Sequence, residues 1–150
     1  MGKTSLTQVQ ASNATISTLP PGLVAVFVGA TSGIGEAALK EFVKNAKKPK
    51  CYLVGRSEQA ANRIIGECKS INSDAHVVFM QADVSLIREV DRLCEDIKGM
   101  EDTVNILFLS AGAPLMDRSS TCLAAFNLNS FFEVSNLQQK HRKISTPSRH

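Results

Sequence analysis

The chain has 150 residues, about the length of one domain, and its 43% hydrophobic and 21% charged residues are ordinary for a protein that folds in water. No apolar run is long enough to span a membrane, and residues 1–22 lack the apolar core of a secretory signal, so we expect a cytoplasmic protein. The formal charge of +3 comes from residues 140–150, which hold four basic residues and no acid, and the rest of the chain lacks the basic, aromatic face of a nucleic-acid-binding protein.

The apolar patterns predict strands and helices in alternation. Residues 1–22 form a polar arm that ends in Leu-Pro-Pro-Gly, a turn segment directly before the first strand. Continuous apolar runs of strand length, typical of strands buried on both faces, occupy residues 23–29, 51–55, 75–80 and 104–109. Apolar residues at helical spacing predict helices over 34–46, from a Ser57 cap to Ile71, and from near Ser85 to a stop at Gly99.

This order of elements predicts an α/β fold with a doubly wound parallel sheet. Strands joined by helices require crossovers, which place helices on both faces of the sheet. Four strands make the N-terminal half of the dinucleotide-binding Rossmann fold, which we assign to residues 23–121. The clear pattern ends after Pro114: residues 122–137 are moderately apolar and compatible with a helix, and residues 138–150 form a basic tail that we expect to be disordered.

The cysteines predict a reducing compartment and no metal site. The four are widely spaced, and no C-x-x-C motif occurs. Cys51, Cys68 and Cys94 stand in apolar patterns, so we expect them to be small core residues with free thiols.

A glycine-rich turn, GATSGIG over residues 29–35, joins the first strand to the first helix. A helix N-terminus offers unpaired N–H groups and a partial positive charge, and glycines there let a phosphate approach. No Gly-Lys-Ser/Thr follows, which excludes a P-loop. The turn therefore predicts a pyrophosphate site, with a tight turn that binds no ligand as the alternative. Its predicted binding residues are Gly29, Thr31, Ser32, Gly33, Ile34 and Gly35.

Arg56 stands where dinucleotide folds recognise the adenosine ribose. It follows the second strand, 21 residues beyond Gly35, and these folds place that group about 20 residues on. An acid there accepts from the 2′-hydroxyl of NAD, whereas an arginine pairs with the 2′-phosphate of NADP. Ser57 would add a hydroxyl donor. The pattern favours NADP over NAD, and the alternative is a solvated loop arginine.

Two further turns complete the predicted site. Asp83 and Val84 follow the third strand, where a carboxylate would accept from the adenine amino group or, equally, cap the next helix. Ser110, Ala111 and Gly112 follow the fourth strand, where small residues let a cofactor lie across the ligand-binding edge of the sheet. Taken alone, the second segment is also compatible with a simple turn.

Together these segments resemble the short-chain dehydrogenase/reductase family over about residues 23–114. Residues 29–35 are similar to its Thr-Gly-x-x-x-Gly-x-Gly signature, with Val28 in place of the usual threonine. Residues 83–84 resemble its adenine-side Asp-Val, and residues 110–112 resemble its Asn-Ala-Gly, with serine in place of asparagine. The amino-acid sequence around these motifs also resembles fungal members of the family that are linked to secondary metabolism. The resemblance implies hydride transfer between a nicotinamide and a small-molecule carbonyl or alcohol.

The chain departs from this family in its catalytic motif. The family uses Tyr-x-x-x-Lys, in which the tyrosine exchanges a proton with the substrate oxygen and the lysine lowers the tyrosine pKa. The one tyrosine of the chain, Tyr52, lies inside the second predicted strand and has Arg56 at the fourth place after it. We therefore assign no catalytic residue.

The change in character after about Ser120 predicts a truncated product or a shifted reading frame, with a short natural domain as the alternative. A sheet that stops at its fourth strand would expose an apolar edge that later strands would cover. Three functions follow from these expectations. They are an NADP-dependent oxidoreductase represented by its cofactor half, a non-catalytic dinucleotide-binding or interaction module, and an inactive truncated product.

Overall fold

The computed structural model describes residues 5–111, which form a four-stranded sheet with helices. In chain order the elements are α1 (Leu6–Ala14), a short 3-10 helix (Thr15–Thr18), β1 (Val24–Val28), α2 (Gly33–Asn45), β2 (Lys50–Gly55), α3 (Glu58–Ile71), β3 (His76–Gln81), α4 (Ile87–Met100) and β4 (Ile106–Leu109). The four predicted strands and the three predicted helices between them are present. The predictions for residues 112–150, including the helix over 122–137 and the disordered tail, lie outside the described residues.

The sheet is parallel throughout, in the order β3-β2-β1-β4. In the centre, Val26 of β1 lies beside Tyr52 of β2 on one side and Leu107 of β4 on the other. The chain moves outward from β1 to β3 and then returns to the far side of β1 to form β4. The strand order therefore reverses beside β1, where open α/β sheets bind their ligands. The predicted doubly wound α/β fold is confirmed.

The core has two layers because helices cover both faces of the central strands. All five residues of β1 are buried, as its continuous apolar run predicts. Phe27 belongs to the layer shared with α2 and α3, where its ring centroid lies 5.8 Å from that of Phe42 and 5.6 Å from that of Phe108 in β4. Val26 belongs to the other layer, with Leu93 of α4.

The three cysteines of the described region are core residues with free thiols, as predicted. Burial raises the pKa of the Cys51 thiol to about 12, and it also raises the thiol pKa of Cys68 and Cys94. At neutral pH these side chains are therefore apolar packing groups and not nucleophiles.

The helices differ from the sequence predictions in one added helix and in the end of α4. The predicted polar arm contains a helix that we did not predict, α1. It has no buried residue, and the sequence shows no apolar stripe there that would indicate a helix. A capping box fixes its start: Ser5 Oγ accepts from Gln8 N–H at 3.2 Å, and Gln8 Oε1 accepts from Ser5 N–H at 2.9 Å. The predicted stop of α4 at Gly99 is one residue early, because a single helical glycine costs only about 1 kcal/mol, and the helix includes Met100 before Glu101 becomes extended.

The predicted apolar edge is found at β4. Within residues 5–111 this strand forms one edge of the sheet, and the Leu109 side chain there is 43% exposed. None of the helices within this range is both long and apolar enough to cross a membrane.

Candidate cofactor-binding site

The carboxyl ends of the four strands surround one cleft of about 360 Å³. Each strand contributes the segment that directly follows it, because parallel strands end at the same edge of the sheet. The lining residues are Gly29, Thr31, Ser32, Ile34, Gly55, Arg56, Ala82, Asp83, Val84, Ser85, Ser110 and Ala111.

Most of the predicted binding residues therefore come together in this cleft. Among the other predicted residues, Gly33, Gly35 and Ser57 lie outside its wall, and Gly112 lies outside the described residues. The wall also includes three residues that we did not predict as ligands, Gly55, Ala82 and Ser85. Each of them is directly adjacent to a predicted residue. Extending each predicted segment by one residue would therefore have included all three.

The turn after β1 has a conformation and a packing that require glycine. Gly29 has a φ of 78°, and a Cβ on it would lie 2.5 Å from the Ala111 backbone nitrogen. A Cβ on Gly35 would lie 2.8 Å from the Ala30 Cα, so this glycine lets α2 pack closely on the turn. Gly29 N–H donates to the Val54 carbonyl at 3.0 Å, which anchors the turn to β2.

The N-terminus of α2 is open toward this cleft. Ser32 is the N-cap residue, and its side chain makes no capping hydrogen bond. Gly33, with a φ of 60°, has no side chain, and a Cβ there would meet no atom within 4 Å. The first N–H groups of a helix lack intrahelical acceptors and carry its partial positive charge. This part of the cleft can therefore accept an anionic group.

Arg56 directly follows β2, and hydrogen bonds from the end of β3 hold its backbone in place. Its carbonyl accepts from Gln81 Nε2 at 3.1 Å, and the Gly55 carbonyl accepts from Ala82 N–H at 3.1 Å. The Arg56 side chain is exposed and lines the cleft. The next residue, Ser57, is the N-cap of α3, as predicted, and its Oγ accepts from Ala60 N–H at 3.2 Å.

Asp83 forms a local turn in place of a helix cap. Its Oδ1 accepts from the Ser85 hydroxyl at 2.8 Å and from the Ser85 N–H at 3.1 Å. These hydrogen bonds, with the nearby charge of Arg56, lower the pKa of the Asp83 carboxyl below its usual value. The alternative that Asp83 caps the next helix is wrong, because α4 begins only at Ile87 and its N-cap residue is Leu86.

The residues after β4 form the wall next to the glycine turn. Ser110 N–H donates to the Val28 carbonyl at 2.8 Å, which continues the β1–β4 pairing by one residue. Ala111 then passes so close to Gly29 that no side chain fits between the two backbones. The small residues predicted at this strand end thus border the place where the strand order reverses.

Comparison with known proteins gives this arrangement a family. The family model described as short chain dehydrogenase matches residues 23–141. The chain belongs to the short chain dehydrogenase family. The sheet described above is the N-terminal half of the Rossmann fold of this family, as predicted.

One curated relative of this chain is the oxidoreductase andH of Emericella variicolor. It is 39% identical over 117 residues, which are 78% of this chain and 35% of that protein. The chain spans about a third of the length of the curated relatives that it matches.

Solved structures of short chain dehydrogenases share the fold. L-sorbose reductase from Gluconobacter frateurii, complexed with NADPH and L-sorbose, aligns with a TM-score of 0.57 at 24% identity, over 81% of this chain and 44% of that one. A short chain dehydrogenase/reductase from Burkholderia phymatum in complex with NAD aligns with a TM-score of 0.54 at 29% identity, over 62% of this chain and 32% of that one.

Tyr52 lies in the middle of β2, an interior strand of the short chain dehydrogenase sheet, and it does not line the cleft. Its ring is 1% exposed, and its hydroxyl donates to Glu101, which follows α4 and also pairs with Lys50 at the start of β2. Burial and the bond to Glu101 raise the pKa of the Tyr52 hydroxyl, although Lys50 opposes them. Tyr52 is thus a structural residue, as its place in the predicted strand indicates.

Proposed function

We propose that the chain binds NADP(H) in the cleft and prefers it over NAD(H). We propose further that this cleft is the cofactor half of an oxidoreductase that transfers hydride between the nicotinamide and a small carbonyl or alcohol substrate. The observation that carries the proposal is that the open N-terminus of α2 and the Arg56 side chain border the same cleft. A cytoplasmic location and a role in fungal secondary metabolism stay predictions.

The residues of the cleft fit a dinucleotide. Gly33 leaves the first turn of α2 without a side chain, and the pyrophosphate would receive backbone hydrogen bonds at this N-terminus. The Arg56 guanidinium would pair with the 2′-phosphate. Both bonds from Ser85 go to Oδ1 of Asp83, so Oδ2 would accept from the adenine amino group. When bound, the nicotinamide would supply the hydride chemistry, and these residues would hold the pyrophosphate and adenosine part of the cofactor.

A second candidate function is a non-catalytic dinucleotide-binding or interaction module. Tyr52 favours it, because the one tyrosine of the chain is buried within the sheet, outside the cleft wall, and donates to Glu101. The chain would then bind the cofactor without oxidising or reducing a substrate. An inactive product that binds no dinucleotide is the third candidate.

Titration of the chain with NADPH and with NADH, followed by nicotinamide fluorescence, tests the proposal. We expect NADPH to bind more tightly by about tenfold or more, because a charge-assisted bond to the 2′-phosphate contributes roughly 1.5–3 kcal/mol. Equal affinities, or no binding of either, would contradict the cofactor assignment. Addition of a panel of carbonyl compounds to the NADPH complex then separates the first two candidates, because only the oxidoreductase consumes NADPH.

A further inference from the structure

The Thr31 side chain occupies the space beside the end of β2. A Cβ on Gly55 would lie 2.5 Å from Thr31 Cγ2 and 3.2 Å from Thr31 Oγ1, and the first distance is too short for two carbons. Gly55 does not have a positive φ, so its backbone conformation is open to other residues. Glycine is needed here because Thr31 fills the place of a side chain.

This contact joins two walls of the cleft. Thr31 belongs to the turn after β1, and Gly55 is the last residue of β2, directly before Arg56. On the other side of β2, hydrogen bonds from Ala82 and Gln81 hold the carbonyls of Gly55 and Arg56. The peptide that carries Arg56 is therefore held by β3, and the Thr31 side chain lies where a Gly55 side chain would project.

We propose that Thr31 is a positioning residue that sets the location of Arg56 in the cleft through its packing against Gly55, and thereby sets the preference for NADP(H) over NAD(H). The inference rests on the proposed function of the cleft. The Cγ2 methyl of Thr31, and not its hydroxyl, lies nearer to the position that a Cβ on Gly55 would take. The effect on Arg56 is therefore one of shape, since a change in this contact moves the backbone from which the guanidinium extends.

Two substitutions at Thr31 separate shape from hydrogen bonding. Thr31→Val keeps both branches of the side chain and removes the hydroxyl, and we expect it to keep the wild-type ratio of NADPH to NADH affinity. Thr31→Ala removes the packing, and we expect the ratio to fall by about fivefold to tenfold, because NADPH affinity falls more than NADH affinity. A lowered ratio in Thr31→Val, or an unchanged ratio in Thr31→Ala, would overturn the proposal.

A double-mutant cycle tests the contact itself without any ligand. We expect Gly55→Ala to lower the thermal unfolding midpoint, and the added Thr31→Ala change to raise it again, because the second change removes the atoms that the new Cβ meets. Gly66→Ala in α3 is the matched control, since a Cβ there meets no atom within 4 Å, and it should leave the affinity ratio unchanged. Additive shifts of the midpoint would refute the contact.

The titration of the wild-type chain and the titration of the Thr31 variants together distinguish the proposed function from the role of Thr31. Failure of the wild-type chain to bind NADPH would overturn the proposed function and, with it, the part of the inference that concerns preference. Tight, NADPH-selective binding by the wild type, together with an unchanged ratio in Thr31→Ala, would overturn only the role of Thr31. If Gly55→Ala does not fold, the Thr31 variants still decide the inference.

Discussion

Arg63 donates two parallel hydrogen bonds to the Glu36 carboxylate, from Nη1 to Oε1 at 2.9 Å and from Nη2 to Oε2 at 2.8 Å. Lys40 also pairs with Glu36, and Glu67 pairs with both Lys40 and Arg63. This network joins the first turn of α2, whose N-terminus borders the cleft, to α3, which starts just after Arg56. It therefore fixes two of the walls relative to each other.

The Glu36 network makes stability depend on pH in the acid range. Hydrogen bonds from Arg63 and Lys40 lower the pKa of the Glu36 carboxyl from 4.5 to about 2. A lowered carboxyl pKa stabilises the fold above about 4.5, and this contribution is lost as the pH falls toward about 2. At neutral pH we expect Glu36→Gln to lower the free energy of unfolding by about 1 kcal/mol, and the difference to shrink in acid.

Urea unfolding of wild type and Glu36→Gln from neutral pH to the acid range measures this dependence. Glu58→Gln is the matched control, because Glu58 is an exposed acid in the first turn of α3. Its effect should stay below about 0.5 kcal/mol at every pH. A loss in Glu36→Gln that does not change with pH would exclude an ionic role for Glu36.

Gly29 is expected to tolerate no side chain. An alanine there would have to adopt a φ of 78° and place its Cβ 2.5 Å from the Ala111 nitrogen. We predict that Gly29→Ala lowers the free energy of unfolding by about 2–4 kcal/mol. Gly66→Ala, at an open helical position, should raise it by about 0.5–1 kcal/mol. Similar effects of the two substitutions in chemical unfolding would refute the close approach of β4 to the turn.

Tyr52 provides a spectroscopic test of the packing around β2, because it is the one tyrosine of the chain. Burial, and then its bond to Glu101, raise the pKa of its hydroxyl above 10.0. The native protein should therefore form tyrosinate at a higher pH than the urea-unfolded chain, and its stability should fall as the pH rises above about 10. Absorbance titration measures both midpoints, and coinciding midpoints would contradict the burial of the hydroxyl.

Removal of the Tyr52 hydroxyl tests whether this residue has any part in the cleft. Tyr52→Phe takes a hydrogen-bond donor from Glu101, so we predict a loss of about 1 kcal/mol in the free energy of unfolding. NADPH affinity should stay at the wild-type value, because Tyr52 does not line the cleft. A large loss of NADPH affinity in the folded variant would contradict a purely structural role.

The local sequence was sufficient to predict the strands, the three helices between them and most of the cleft wall. Continuous apolar runs predict buried strands. The residues that follow these strands are then predicted to share one cleft, because parallel strands end at the same edge of the sheet. A capping box, Ser5 with Gln8, was the available signal for α1, but a helix without an apolar stripe has no periodicity to detect.

Contacts between segments far apart in the sequence could not be predicted in this way. That Gly29 accommodates Ala111, or that Gly55 accommodates Thr31, depends on how closely two strand ends approach after folding. The pairing of Glu36 with Arg63 depends likewise on the packing of α2 on α3. In the sequence these residues are two glycines, an alanine, a threonine and two ordinary charged residues.

The central claim is that Arg56 selects NADP(H), and a reversal of its charge tests it most directly. The measurement is the ratio of NADPH to NADH dissociation constants for wild type, Arg56→Glu and the control Arg88→Glu, which places the same charge change on an exposed arginine outside the cleft wall. We predict that wild type and Arg88→Glu prefer NADPH, and that Arg56→Glu prefers NADH, because a carboxylate repels the 2′-phosphate and accepts from a 2′-hydroxyl. An Arg56→Glu variant that folds and keeps the wild-type ratio would contradict the account.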